Sequence, residues 1–210
     1  MKATLALFKT RRMLLLSPLF LYTGYNQPYQ LAVFGNRIFK PQTIGLEMIV
    51  FYLSEITGGL YVGSMLDKSQ SPLGAAKRCL ALFAFVTTAS FVLCFFQELP
   101  CAFSDDDKCT KKVNYYEPEA IMPSVIYALW GFSDSQIQTY SYWLMGTLYD
   151  SGVEQARAVG FYKMVQSLGW SVGFFLMPEN VMEPIVQMLC TAVCFVIGLL
   201  LSLRELPSAN

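Results

Sequence analysis

Residues Pro184–Leu203 read PIVQMLCTAVCFVIGLLLSL, a run without a charged side chain, bounded by Glu183 and Arg204. A helix rises about 1.5 Å per residue, so a run of this length crosses the roughly 30 Å hydrocarbon core of a bilayer. A surface helix of a soluble domain would show a charged face at helical spacing. This stretch has none.

Five further apolar runs lie upstream: Met13–Phe34, Thr43–Met65, Leu80–Phe96, Ile121–Leu148 and Val159–Leu176. The third is short and extends toward Arg78; the fourth is long with a polar middle, which predicts a tilted or broken helix. The fold class expected is an all-α membrane protein, with a six-helix bundle over 13–203 between tails at 1–12 and 204–210. Composition agrees: 54% of the residues are hydrophobic and 14% charged, against about 25% charged in an ordinary soluble domain. Net charge is zero, so no basic face points to nucleic acid. The chain has no His, which removes the commonest general base and metal ligand together. No metal, cofactor or conventional enzyme chemistry is expected. Gly131-Phe132-Ser133 faintly resembles an intramembrane serine-protease turn, but no His exists to activate the serine.

Lys2, Lys9, Arg11 and Arg12 before Met13–Leu16 look like the start of a signal peptide. The apolar run outlasts a usual signal core, however, and no small-residue cleavage site follows. We read residues 1–12 as a cytosolic tail. Orientation follows Lys and Arg in the connections. One side holds Lys2, Lys9, Arg11, Arg12, Lys68, Lys77, Arg78, Arg157 and Arg204; the other holds Arg37, Lys40, Lys108, Lys111 and Lys112. Both termini are therefore placed in the cytosol and the long Gln97–Ala120 connection outside it. In that connection Cys101 and Cys109 form either a disulfide or two free thiols. The bilayer is the obligatory partner; plasma membrane and endomembranes remain equal choices.

Gly59/Gly63 and Gly169/Gly173 are small-xxx-small patterns that let helix backbones approach, within the chain or across a dimer. Tyr25-Asn26-Gln27-Pro28-Tyr29-Gln30 interrupts the first span, because Pro28 removes a donor and the amides can satisfy freed carbonyls or line a cavity. Four ionisable residues fall inside spans: Glu47, Glu55, Asp134 and Lys163. Charges at mid-bilayer cost roughly 2.5–3.5 kcal/mol on insertion scales, so such residues face protein or water. Glu47 is near enough to a span end to reach headgroups, and Lys163 can snorkel. Glu55 and Asp134 are not.

Tyr127, Asp134, Gln138 and Ser141 share one face of their helix, and Lys163, Gln166, Ser167 and Trp170 share one face of the next. Two polar stripes predict either a wet cavity or a buried hydrogen-bond network. Glu55, Asp134, Gln138, Ser141, Lys163 and Gln166 are the candidate pathway residues, with Glu55 and Asp134 as a carboxylate pair sharing one proton.

After the second span, Gly63-Ser-Met-Leu-Asp67-Lys68, Gly74 and Lys77-Arg78 resemble the cytosolic loop motif of the major facilitator superfamily, with the later Gly and basic pair displaced. Pro18-Leu-Phe-Leu-Tyr22-Thr-Gly24 and Ala128-Leu-Trp-Gly131-Phe-Ser-Asp134-Ser-Gln-Ile-Gln138-Thr139 are similar to the seventh and tenth helices of Unc-93-like proteins. Tyr140-Ser-Tyr-Trp143-Leu-Met-Gly146 and Gly160-Phe-Tyr-Lys163-Met-Val-Gln166-Ser167 resemble fungal-type members. The collinear resemblance covers about Pro18 to Leu176. It implies one six-helix half of a major facilitator superfamily transporter fold, the C-terminal one. The chain is then either a truncated piece lacking the N-terminal half, or a half-size member that needs a partner membrane protein. The implied function is transport of a solute or ion by alternating access; the alternative is a non-transporting accessory protein that regulates an ion channel or receptor trafficking.

Overall fold

The computed structural model describes residues 2–102, 111–176, 178 and 181–207. Helix α1 (Lys2–Phe8) precedes a cap at Thr10, whose hydroxyl accepts from the Met13 backbone N–H and starts α2 (Arg11–Gln27). From α2 the chain continues through a π-helical turn, Pro28–Phe34, into α3 (Gly35–Ile38). There follow α4 (Pro41–Asp67), α5 (Pro72–Ala102), α6 (Ile121–Leu148), α7 (Gly152–Leu176) and α8 (Pro184–Ser202). Proline opens α4, α5 and α8, where a first-turn N–H would lack a helical partner anyway. Among the described residues the only β feature is an isolated bridge, Phe39 to Val113.

The fold is all-α, and among the described residues three helices are long and apolar enough to cross a membrane: Pro41–Asp67, Pro72–Pro100 and Pro184–Glu205. They turn much of that apolar surface outward, since only 22% of the apolar window is buried in the first and 33% in the last. The remaining long helices carry Asn26, Asp134, Gln136, Lys163 and Gln166 through their middles, which lowers their hydropathy. Helix α5 starts well before the apolar run Leu80–Phe96 and ends beyond it, because a helix continues past the hydrocarbon on both sides.

Contacts fix the helix directions. Helices α2 and α7 are parallel: the Phe20 and Tyr162 rings meet at 4.9 Å, Gly24 abuts the Gln166 carbonyl, and Pro28 lies at Gly173. Helices α4 and α6 are also parallel, with Glu47 at Ser124, Phe51 at Gly131 and Gly58 at Phe132. In contrast α8 runs antiparallel to α2, with Gly198 beside Leu19 and Phe195 beside Tyr22. Helix α5 runs antiparallel to α6 in the same way: Phe83 meets Tyr140, while Tyr29 lies between Cys94 and Trp130. The sequence neighbours α4–α5 and α6–α7 share little surface. Exchanging the triplet α2, α4, α5 for α6, α7, α8 therefore maps each extensive pairing onto another, α2–α7 onto α6–α4 and α2–α8 onto α6–α5.

Glycine sets the separation in both parallel pairs. A Cβ at Gly24, Gly58, Gly131 or Gly169 would run into the facing backbone. Gly173 also packs within the molecule, against Pro28 and the Tyr25 carbonyl. The Gly59/Gly63 pattern behaves differently. Gly63 faces open space, and Gly59 would meet only the Thr139 and Ser135 side chains, at 3.5 and 3.8 Å. Gly58 makes the close approach instead, because the face that meets α6 is set one residue away from the spacing pattern.

At one end of the bundle, Val113 donates to the Ile38 carbonyl at 2.8 Å and Lys40 donates to the Val113 carbonyl at 3.0 Å. The Tyr115 N–H reaches Thr43 Oγ1 at 3.2 Å, so the end of the long connection is strapped to α3 and α4. The expected Cys101–Cys109 pairing lies outside the described residues. At the opposite end Asp67 closes α4, and the Ser71 hydroxyl accepts from the Gly74 N–H at 3.2 Å. Arg78 reaches back to Ser69 at 2.8 Å. Asp67, Lys68, Lys77 and Arg78 are all exposed.

Candidate functional site

Asp134 sits in the middle of α6, and only 3% of its surface is exposed. Its nearest partner is on another helix: the Asn26 amide donates to Asp134 Oδ1 at 2.8 Å, and Asn26 is fully buried. No Lys or Arg pairs with Asp134 among the described residues. Tyr22, Asn26 and Gln30 follow four-residue steps, which aims them along one side of α2 and the turn that continues it. Gln30 lies beside Asp134 and Tyr22 beside Asn26, each close enough to act on its neighbour as a weak hydrogen bond without reaching good geometry. Tyr22 Oη, Asn26 Oδ1, both Gln30 amide atoms and Asp134 Oδ2 therefore have no well-formed hydrogen bond among the described residues. Each such atom costs about 1–3 kcal/mol unless a water or a ligand meets it.

The π turn at Pro28–Phe34 shapes this site. π turns occur preferentially at functional sites, and here the Gln30 carbonyl within the turn accepts from Tyr127 Oη at 2.8 Å. Buried rings brace it: Trp130 packs edge-on against Phe34 at 4.8 Å and against Tyr29 at 5.9 Å. Tyr127 thus serves the backbone of the turn rather than the carboxylate.

A second network lies one turn earlier on α2. Gln166 Nε2 donates to Thr23 Oγ1 at 3.3 Å and to Tyr162 Oη at 3.2 Å. Lys163 donates to Gln166 Oε1 at 2.8 Å and stands over the Tyr142 and Tyr162 rings. Sequence spacing placed the α6 and α7 stripes opposite each other. The structure puts α2 between them, so Asp134 and Gln166 both bond to α2.

The other expected residues scatter. Glu55 is half-buried and acts electrostatically on Asp134 without bonding to it. Gln138 is half-buried, and Ser141 donates at 2.7 Å to the Ile137 carbonyl of its own helix. Ser167 and Trp170 lie on the exposed side of α7. Glu47 does not reach out to a surface: it is 4% exposed and accepts from Ser124 at 2.7 Å, because α6 covers it.

Sequence reasoning missed one buried ion pair. Arg37 of α3 donates to Glu98 Oε2 on α5, and Tyr29 donates to Glu98 Oε1 at 3.2 Å with Cys94 Sγ 3.3 Å away. Glu98 is 2% exposed and Arg37 22%. Both residues lie just past the ends of apolar runs, where charges read as loop residues; the one available signal was their opposite sign on the same side. Gln136, fully buried with neither amide atom partnered, was also passed over.

Long apolar helices turned outward around a buried carboxylate and amides define a multi-pass membrane protein. The chain belongs to the UNC-93 family, described as ion channel regulatory protein UNC-93, which matches residues 1–203. It is similar to UNC93-like proteins 1 and 2 of Arabidopsis thaliana, each 28% identical over 175 residues, covering 82% of this chain and 38% of the relative. An UNC93-like protein of Schizosaccharomyces pombe is 24% identical over 185 residues, covering 83% of this chain and 35% of that one. The chain thus spans little more than a third of the length of these curated relatives. No solved structure gives a significant match.

Proposed function

We propose that this chain forms a six-span half of a major-facilitator-type membrane protein, the C-terminal one, and that its role is to move a solute or ion past Asp134. In this reading α2, α6 and α7 cross the bilayer with the three more apolar helices, and both termini are cytosolic. A further six-helix half, or a partner membrane protein, completes the path. Support comes from the triplet exchange in the packing, since nested inverted repeats of three helices build such halves. The observation that carries the reading is Asp134 itself: a carboxylate buried at mid-helix, with no basic partner among the described residues, beside polar atoms that make no well-formed hydrogen bond there. Ionisable residues within membrane spans mark ion and substrate pathways. No catalytic chemistry is assigned to it. Flux measured in cells or vesicles should be lost in Asp134→Asn at unchanged surface abundance; unchanged flux removes Asp134 from the path.

The family's description as ion channel regulators favours a second reading, in which the chain modulates a channel and transports nothing. Channel current that changes on co-expression, with no flux by the protein alone, would select it.

A further inference from the structure

The geometry points to a binding site for one dehydrated alkali cation, held by Asp134 Oδ2, Asn26 Oδ1, Gln30 Oε1 and Tyr22 Oη. All four side chains are nearly or wholly buried, and none of the four oxygens makes a hydrogen bond of good geometry among the described residues. They belong to one neighbourhood: Asn26 is bonded to Asp134, Gln30 lies alongside the carboxylate, and Tyr22 is close to both Asn26 and Asp134.

Charge selects the ligand. A carboxyl group removed from water must hold either a proton or a counter-charge, and no side chain supplies that charge among the described residues. Lys163, the basic residue at the middle of α7, is engaged by Gln166 and the two tyrosine rings. One carboxylate balances one monovalent ion, while amide and phenol oxygens replace its water shell as carbonyl oxygens do in selectivity filters. Divalent and softer metals are poorly matched, because no group of three His, Cys, Asp or Glu occurs among the described residues. Glu55, half-buried and within electrostatic reach, adds negative potential on the α4 side.

This deepens the reading of Asp134 as a pathway residue, and rests on it only for the ion's movement; binding stands separately. The test uses the full chain purified in detergent, at constant ionic strength, with NaCl or KCl exchanged for choline chloride. Thermal stability should rise saturably with one of the alkali ions, and infrared difference spectra should show a perturbed carboxylate band. Gln30→Leu and Asn26→Ala should each weaken the apparent affinity at least about tenfold, and Asp134→Asn should abolish it. Absence of an alkali-dependent shift in the wild-type protein between pH 6 and 9 overturns the site, as does an equal shift in Asp134→Asn. If Asp134→Asn does not fold, the wild-type infrared signal and the Gln30→Leu affinity still decide. A stability that follows pH alone would leave a proton as occupant and overturn the cation. Intact binding with no flux would sink the transport reading only.

Discussion

Tyr29 and Gln30 are adjacent in the chain yet serve buried polar clusters of opposite kinds. Tyr29 completes a closed cluster, in which Glu98 receives Arg37 on one oxygen and the tyrosine hydroxyl on the other. Gln30 borders an open cluster, where its own amide and Asp134 Oδ2 remain unpaired. The closed cluster carries no net charge and ties α3 to α5. The open one holds a carboxyl group with no opposite charge among the described residues. Burial alone does not distinguish them, since Glu98 is 2% and Asp134 3% exposed. What distinguishes them is whether the protein supplies the counter-charge, and that separates a clamp from a site.

The sharpest way to break this contrast is at the clamp. Glu98→Ala leaves Arg37 without its partner and should cost roughly 3 kcal/mol, toward the lower end for buried pairs because Arg37 keeps some exposure. Thermal unfolding in detergent measures it; a loss comparable to that of an exposed pair would refute the clamp.

Next comes the packing that supports the open cluster. Gly131→Ala drives a methyl group into the Phe51 backbone and should destabilise by about 2 kcal/mol. Gly63→Ala meets nothing within 4 Å and should stabilise by up to about 1 kcal/mol through helix propensity. Equal effects at the two glycines, in the same unfolding assay, would contradict the assigned α4–α6 interface.

Asp134→Asn should then change stability by less than about 1 kcal/mol in choline medium, because the buried carboxylate has no basic partner there to lose. A destabilisation matching that of Glu98→Ala would make the open cluster a second clamp. The smallest effect belongs to Arg12–Glu205, the same residue types at 3.3 Å but with Arg12 43% exposed. Glu205→Gln should cost no more than about 0.5 kcal/mol, and less in high salt.

Much of the architecture could be read from hydrophobic runs, since Pro184–Leu203 and Thr43–Met65 both lie on observed helices. Asp134 was legible for the same reason: a carboxylate deep in an apolar run needs an account. Its partner was not. Helical spacing says which residues share a face of one helix, but not which helix covers that face, so α2 between α6 and α7 could not be foreseen. Asn26 and Gln30 appeared only as an interruption near Pro28. Arg37–Glu98 escaped because the pair joins positions 61 residues apart at the margins of two spans, where hydropathy is silent. Gly58 was hidden beside a better spacing pattern at Gly59 and Gly63.

The partnership of Asn26 with Asp134 also constrains biogenesis. The two residues are 108 positions apart. At about 5–20 residues per second, the ribosome delivers α6 roughly 5–20 s after the first helix has emerged. During that interval Tyr22, Asn26 and Gln30 lack the face they are shaped to meet, and α4 and α5 offer it only limited cover. A nascent chain in this condition should linger at the insertion machinery, or in the keeping of a membrane chaperone, until α6 arrives. Ribosome stalling just before and just after residue 148 would bracket that release.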